Sequence, residues 1–448
     1  LTYAVRPLVV AKYVGQLALV LAGLTVPPLA VGLYFGEAMI AMRYLVVILA
    51  LVVFGTMTAR HDAAGQLQAN ESLVITALAY LLGVLANVYP MTACGLSMAD
   101  ALFEAVSAIT TTGLSTVAEV ESMPKTFLFA RAWAQWYGGL GIAVLAVAML
   151  TSDDLAARRL VEPASGGDTL LTTTLNHARR VTVVYVVLTI LGIGLLLALG
   201  LDAFTAAGYV LAAISTGGFA MHDHGLGALA NPLWESAIMG IALLGAVSLP
   251  LFFAVWRRNW RRLLDDIELR GLMVAVILVT MMLWVLAGPA GDASNPARLF
   301  DLFLLGLSAQ STTGFSTLSV IDLDPDAKWI LMSAMAIGGS SGSTAGGIKL
   351  FRLLLALRLL QLSLRRLSMP SHAVLDFKLG GRGVKNETAI RALLLVLLFV
   401  ALALLSWLPF LSAGHDPLNA LFEIVSALGT VGLSAGVSSS QLDPSLKA

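Results

Sequence analysis

The sequence predicts an all-α membrane protein: four pseudo-symmetric units, each an outer helix, a pore loop and an inner helix, surround one central pore, and two extra transmembrane helices precede them. Three observations predict it. Apolar stretches recur at membrane-crossing length, positive charge falls on one side of them, and a short Thr-x-Gly segment appears four times.

Of the 448 residues 58% are hydrophobic and only 12% charged, with mean hydropathy +0.87, where a soluble domain carries about 25% charged residues. Near-continuous apolar stretches occupy 8–34, 38–58, 72–90, 126–150, 181–200, 233–256, 271–288, 327–350 and 390–411. Each is long enough to cross a hydrocarbon core, which takes about 20 helical residues. A barrel strand alternates polar and apolar positions over about ten residues; these stretches do not alternate, so helices are expected. With a formal charge of zero, no basic surface argues for nucleic acid. Cys94 is the only cysteine, which excludes an intrachain disulfide and a cysteine-rich metal site.

Charge sets the orientation. The links at 59–71, 151–180, 257–270 and 349–391, with Arg6 and Lys12, hold 21 of the 27 Lys and Arg residues. By the positive-inside rule these links are cytoplasmic. The opposite segments at 91–131, 202–231, 291–328 and 412–448 hold 14 acidic residues against 5 basic ones, a field that concentrates cations as well as an ordinary topology bias. Arg257, Arg258, Arg261 and Arg262 read as a plain topology anchor, with contact to anionic lipid or a partner as the other reading.

Residues 102–115 (LFEAVSAITTTGLS) match 421–434 (LFEIVSALGTVGLS) at ten of fourteen positions. Probing with Thr-x-Gly, then Leu or Phe, then Ser or Ala, finds two further copies. The set is Thr111-Thr112-Gly113, Thr216-Gly217-Gly218, Thr312-Thr313-Gly314 and Thr430-Val431-Gly432. Each follows a half-length apolar stretch of about 10 to 12 residues, too short to span and expected to re-enter the membrane inside protein. Asp202, Asn295 and Asp416 stand at the helix starts, with Ser97 or Asp100 in the first copy. Pro124, Pro232, Pro325 and Pro444 follow the glycines by 11, 14, 11 and 12 residues and open the returning helices. By that register the last returning helix is about four residues long at Ala448, and with Leu at position 1 the chain reads as part of a longer protein. The expected units are an N-terminal helix pair at 1–70 and repeats at 71–180, 181–270, 271–389 and 390–448.

A cation that sheds its water needs replacement oxygens, and rings of backbone carbonyls supply them without fixed charge. The backbone must bend to aim those carbonyls at one axis, which glycine does at positive φ with little steric cost. Gly113, Gly218, Gly314 and Gly432 are therefore expected to form one ring, braced by the neighbouring hydroxyls.

The third returning helix contains Gly338, Gly339, Ser340, Ser341, Gly342, Ser343, Thr344, Ala345, Gly346 and Gly347. Each helical glycine costs about 1 kcal/mol relative to alanine, so this run is expected to be an irregular loop that lines, obstructs and by moving opens the path; close packing of small residues between helices is the other reading. Gly338-Gly339-Ser340-Ser341-Gly342 also spells a nucleophile elbow. The six histidines all fall in expected links, which leaves that serine without a base. Gly342 to Gly347 has phosphate-loop spacing, but Ile348 stands where the lysine belongs. No enzymatic activity is expected.

The four filter copies and the run GGSSGSTAGGIK at 338–349 resemble the TrkH/KtrB family of bacterial potassium transporters, related to the fungal Trk and plant HKT proteins. The TrkH branch is the nearer, given the two helices before the first repeat. The resemblance implies a K+ filter at the twelve Thr-x-Gly residues, a gate at 338–347, K+ as the transported ion and no organic cofactor. It implies a multi-pass protein of the bacterial inner membrane with its filters toward the periplasm. It also implies a homodimer on a cytosolic ring of nucleotide-binding RCK regulatory subunits, with Lys349 and Arg352 as candidates for coupling loop to ring. Gly113 stands where a serine favours sodium in the plant relatives, which points to potassium. A sodium- or ammonium-permeable relative and a non-conducting membrane sensor or scaffold are the alternatives.

Overall fold

A computed structural model describes residues 5–61, 68–159, 168–256, 258, 260–286, 296–368, 378–380, 382–384 and 386–447. Among these, six helices are long and apolar enough to cross a membrane: Pro7–Tyr34, Ala38–Ala59, Asn70–Cys94, Ala178–Ala198, Ile267–Leu286 and Asn386–Ser412. The first is bent at Thr25, where Pro27 and Pro28 open its second half without backbone donors. The first two pack through small residues, Gly15 against Thr58 and Gly55 against Leu19, as helices in lipid do when close approach replaces a hydrophobic driving force. Glu37, at the start of the second, accepts the backbone N–H of Lys125 at 2.8 Å and of Thr126 at 2.9 Å. An anion thus sits on the amino end of the next returning helix and joins the extra pair to the rest.

Four outer helices follow, Ala69–Met91, Asp168–Ala198, Ile267–Leu286 and Asn386–Ser412. Each leads into a half-length helix: Met98–Ile109, Ala203–Ile214, Pro296–Ser311 and Pro417–Leu428. Ser97, Asp202 and Asp416 cap three of these; Asn295 lies outside the described residues. The third is one turn longer than expected. The half-helices form the centre of the molecule, with Ala101, Ala105, Ala206, Leu305 and Ala420 fully buried. The outer helices keep apolar side chains exposed: on the last, Leu394, Leu397, Leu405 and Leu408 are each more than half exposed, the surface that hydrocarbon covers.

The returning helices are Lys125–Arg159, Pro232–Ala246 continued by Leu249–Trp256, Pro325–Ile337 continued by Leu350–Leu367, and Pro444–Lys447. The second was expected to run unbroken over 233–256; it is broken at Val247 and Ser248. Pro250 is the reason. Its ring bars the bond to the carbonyl four residues back and collides with it, which frees the carbonyl of Ala246. The loop 338–349 supplies what the break removes. Ser340 N–H donates to Ala246 O at 3.1 Å, Thr344 N–H to Gly245 O at 3.2 Å, and Leu249 N–H to Gly342 O at 3.1 Å. Unpaired backbone groups cost several kcal/mol each in hydrocarbon, so two broken helices side by side satisfy each other where either alone is penalised. A two-residue β-ribbon, Lys378–Leu379 against Arg382–Gly383, is the small departure from all-α structure.

Candidate functional site

All four half-helices end in one way. The N–H groups of Thr111, Thr216, Thr312 and Thr430 bond to carbonyls three residues back, and those of Thr112, Gly217, Thr313 and Val431 to carbonyls five residues back. This is a Schellman ending, whose left-handed position glycine usually fills. Here threonine fills it each time, with φ of 58° at Thr111, 51° at Thr216, 55° at Thr312 and 49° at Thr430. A β-branched residue at positive φ is a true outlier, costing about 1–2 kcal/mol each. Strain kept at four equivalent places marks a site rather than an accident. The sequence reading foresaw bends at the glycines but not at the threonines, because Thr-Thr-Gly has no strong turn signature.

Two residues on, Gly113, Gly218, Gly314 and Gly432 take φ of 82°, 76°, 81° and 94°. They close a ring. A Cβ on Gly113 would strike Gly217 O, one on Gly218 would strike Thr313 O, one on Gly314 would strike Val431 O, and one on Gly432 would lie 2.6 Å from Thr112 O. Each glycine faces the carbonyl one residue before the next glycine, and the circuit returns to its start. The structure brings all twelve predicted Thr-x-Gly residues into this ring and the turns beneath it. Hydroxyls brace it from behind: Ser107 Oγ donates to Leu114 O at 2.6 Å, Gly432 N–H donates to Ser426 Oγ at 3.1 Å, and Ser311 Oγ lies 2.7 Å from Thr313 Oγ1.

Glu104 and Glu423 stand at equivalent places in the first and fourth half-helices. Both are buried and hold the strands that leave the ring. Glu104 accepts Ser115 Oγ–H at 2.6 Å and Thr116 N–H at 2.8 Å; Glu423 accepts Ser434 Oγ–H at 2.7 Å and the N–H groups of Ala435 and Ser438 at 3.0 and 2.6 Å. Arg131 on the first returning helix, 1% exposed, pairs with Glu104 at 3.3 Å and donates to Ala220 O at 3.2 Å, between the rings of Phe127 and Phe219. Breaking a buried pair by removing one partner costs about 3–5 kcal/mol because the other charge is stranded. Arg131→Met is therefore expected to lower the yield of folded protein sharply, and Arg131→Met with Glu104→Gln to restore part of it, as read by size-exclusion profiles in detergent.

The loop 338–349 packs directly beneath the ring. Gly346 N–H donates to Thr312 Oγ1 at 2.7 Å and Gly347 N–H to Gly429 O at 3.1 Å. Thr344 Oγ1–H is shared between Gly245 O at 2.9 Å and Ile214 O at 3.0 Å, with Thr216 Oγ1 at 3.4 Å. Two of the left-handed threonines, Thr216 and Thr312, thus turn their hydroxyls toward the loop. On its far side Ser341 N–H meets Glu268 Oε2 at 2.5 Å, a contact with no sequence signal since 73 residues separate the two. Lys349 Nζ and Arg352 Nη1 point at the loop carbonyls of Ala345 and Ile348. Ser340 Oγ is buried with no hydrogen-bond partner among the described residues. Of the histidines, His177 lies within the helix Asp168–Ala198 rather than in a link, and His372 lies outside the described residues.

Four half-helices that re-enter the protein, turn through paired left-handed bends and deliver their carbonyls to one ring define a pore-loop membrane protein, spanning several times. A sequence profile described as TrkH, cation transport protein, matches residues 40–447. The chain belongs to the TrkH family of cation transport proteins; it is not an enzyme. Its relatives include the Trk system potassium uptake protein TrkH of Halomonas elongata, 29% identical over 96% of this chain and 91% of that one, and that of Escherichia coli K12, 28% identical over 96% and 90%. An uncharacterized cation transporter of Methanocaldococcus jannaschii is 26% identical over 92% and 85%. The crystal structure of the potassium transporter TrkH from Vibrio parahaemolyticus shares the fold, with TM-score 0.84 and 24% identity over 98% of this chain and 93% of that one.

Proposed function

We propose that the chain conducts potassium into the cell through a gated pore, with the four Thr-x-Gly segments as filter and residues 338–347 as gate. The closed ring of carbonyls and left-handed glycines carries this reading. It offers several oxygens at once to a dehydrated monovalent cation, and carbonyl dipoles favour a large, weakly hydrated ion without trapping it. The names of the relatives, Trk system potassium uptake proteins, agree with it.

On this reading residues 1–70 are a helix pair outside the pore, and 71–180, 181–270, 271–389 and 390–448 are its four repeats. The filter faces the periplasm across a bacterial inner membrane, in keeping with 21 of 27 basic residues in the opposite links and the amino end. A homodimer seated on RCK-type nucleotide-binding subunits is supported by the family resemblance. Lys349 caps the helix Leu350–Leu367 and Arg352 lies in its first turn, so a ring pulling on that helix would act on the loop through their backbone-directed cations. Potassium-limited growth of an uptake-deficient host, together with rubidium and sodium flux into vesicles, tests the function. Growth and rubidium flux above sodium flux are expected. Equal sodium or ammonium flux would favour a less selective relative, and no flux from well-folded protein would favour a sensor or scaffold.

A further inference from the structure

Three of the four filter segments carry a side chain between their two bends, Thr112, Thr313 and Val431, and the second carries Gly217. Gly217 is not among the residues of positive φ, so the backbone itself does not demand glycine there. A neighbour does. A Cβ on Gly217 would collide with the carboxamide of Gln135, 2.6 Å from Oε1 and 2.7 Å from Nε2.

Gln135 lies on the first returning helix, one turn beyond Arg131, and is 0% exposed. Its Nε2–H donates to Gly217 O at 2.5 Å and its Oε1 accepts Phe219 N–H at 3.3 Å. The second bond fixes which end of the amide is oxygen, since a backbone N–H needs an acceptor. The first falls on a ring carbonyl, the one that faces Gly113. The described residues supply no hydrogen bond to the other ring carbonyls, on Thr112, Thr313 and Val431. Counted from the opening prolines, the equivalent positions on the second and third returning helices are Leu243 and Ala336, which have no amide to offer. Among the described residues the clamp occurs once.

We propose that Gln135 is a positioning residue that sets the ion selectivity of the filter, by holding one of its four carbonyls in a fixed orientation. A carbonyl tied to an amide donor is polarised by it and cannot swing inward to follow a smaller ion. With that carbonyl tied, the ring resists contraction around sodium at the second segment. This rests on the reading of the four bends as a cation filter.

The test uses purified protein in lipid vesicles, reading the ratio of rubidium to sodium flux for the parent, Gln135→Ala, Gln135→Met, Gly217→Ala and the double variant Gln135→Ala with Gly217→Ala. A net hydrogen bond is worth about 1 kcal/mol, so Gln135→Ala and Gln135→Met are expected to lower the ratio about five- to tenfold. Gln135→Met fills nearly the same space without a donor, which separates positioning from packing. Gly217→Ala alone is expected to lose flux through the collision, and the double variant to regain flux at a lowered ratio, because the new methyl occupies the vacated space. A parent-like ratio in Gln135→Met, or in the double variant where the single one fails to fold, overturns the proposal. Absent rubidium flux in the parent overturns instead the filter reading on which it stands.

Discussion

Replacing Gly314 by alanine is expected to cut cation flux by about two orders of magnitude or more, with the protein still present in the membrane at near-parental amounts. The glycine holds φ of 81°, and a Cβ there strikes the carbonyl of Val431 on the next repeat. Left-handed alanine costs about 1–2 kcal/mol, and the collision adds to that, because the obstacle is backbone held on both sides by neighbouring repeats. Fold and filter separate at this position. The half-helix Pro296–Ser311 is buried over its last turns by Leu304, Leu305 and Leu307, so the substitution disturbs only the ring. Rubidium uptake into vesicles against protein amount by blot checks it; uptake within about threefold of the parent, a barrier change well under 1 kcal/mol, would remove Gly314 from the path. Gly218→Ala should behave alike, since its Cβ meets Thr313 O in the same manner.

Removing residues 338–347, or replacing them with alanines, is expected to raise flux about tenfold or more. The loop lies under the ring and is tied there by bonds to Thr312 Oγ1, Gly429 O, Gly245 O and Ala246 O. A hydrogen bond contributes about 0.5–1.5 kcal/mol net, so these few bonds hold a closed state that can still be left. Thr344→Val removes one hydroxyl shared between two carbonyls and should give a smaller rise, about three- to tenfold at the same worth per bond. Unchanged flux in well-folded loop variants would assign the segment to helix packing, the reading that small residues also permit.

The two substitutions act in opposite directions for one structural reason. Thr312 is shared: its left-handed backbone opens the third filter segment, and its hydroxyl takes the loop's Gly346 N–H. Glycine at that place would relieve the bend and lose the tie. The strain at the four threonines is thus offset, at Thr216 and Thr312, by contacts to the loop that glycine cannot make.

Much of this was readable in the chain. Hydropathy gave the spans because a helix crossing hydrocarbon must be apolar over a set length. Repetition gave the four equivalent bends because the same bend, made four times, needs the same residues. Ser97, Asp202 and Asp416 were legible as caps because capping is local. The break at Val247 and Ser248 was half legible: Pro250 signals it, but an apolar run of full length on either side hides it.

What only the tertiary structure decided are the contacts between segments far apart in sequence. Gln135 meets Gly217 across 82 residues, Glu268 meets Ser341 across 73, and Thr344 meets Ile214 across 130. Local pattern determines which backbone conformations each stretch can adopt. Which buried polar group finds which partner is settled by packing alone, because in a medium without water every donor and acceptor must be matched inside the protein, and the match is made by position in space.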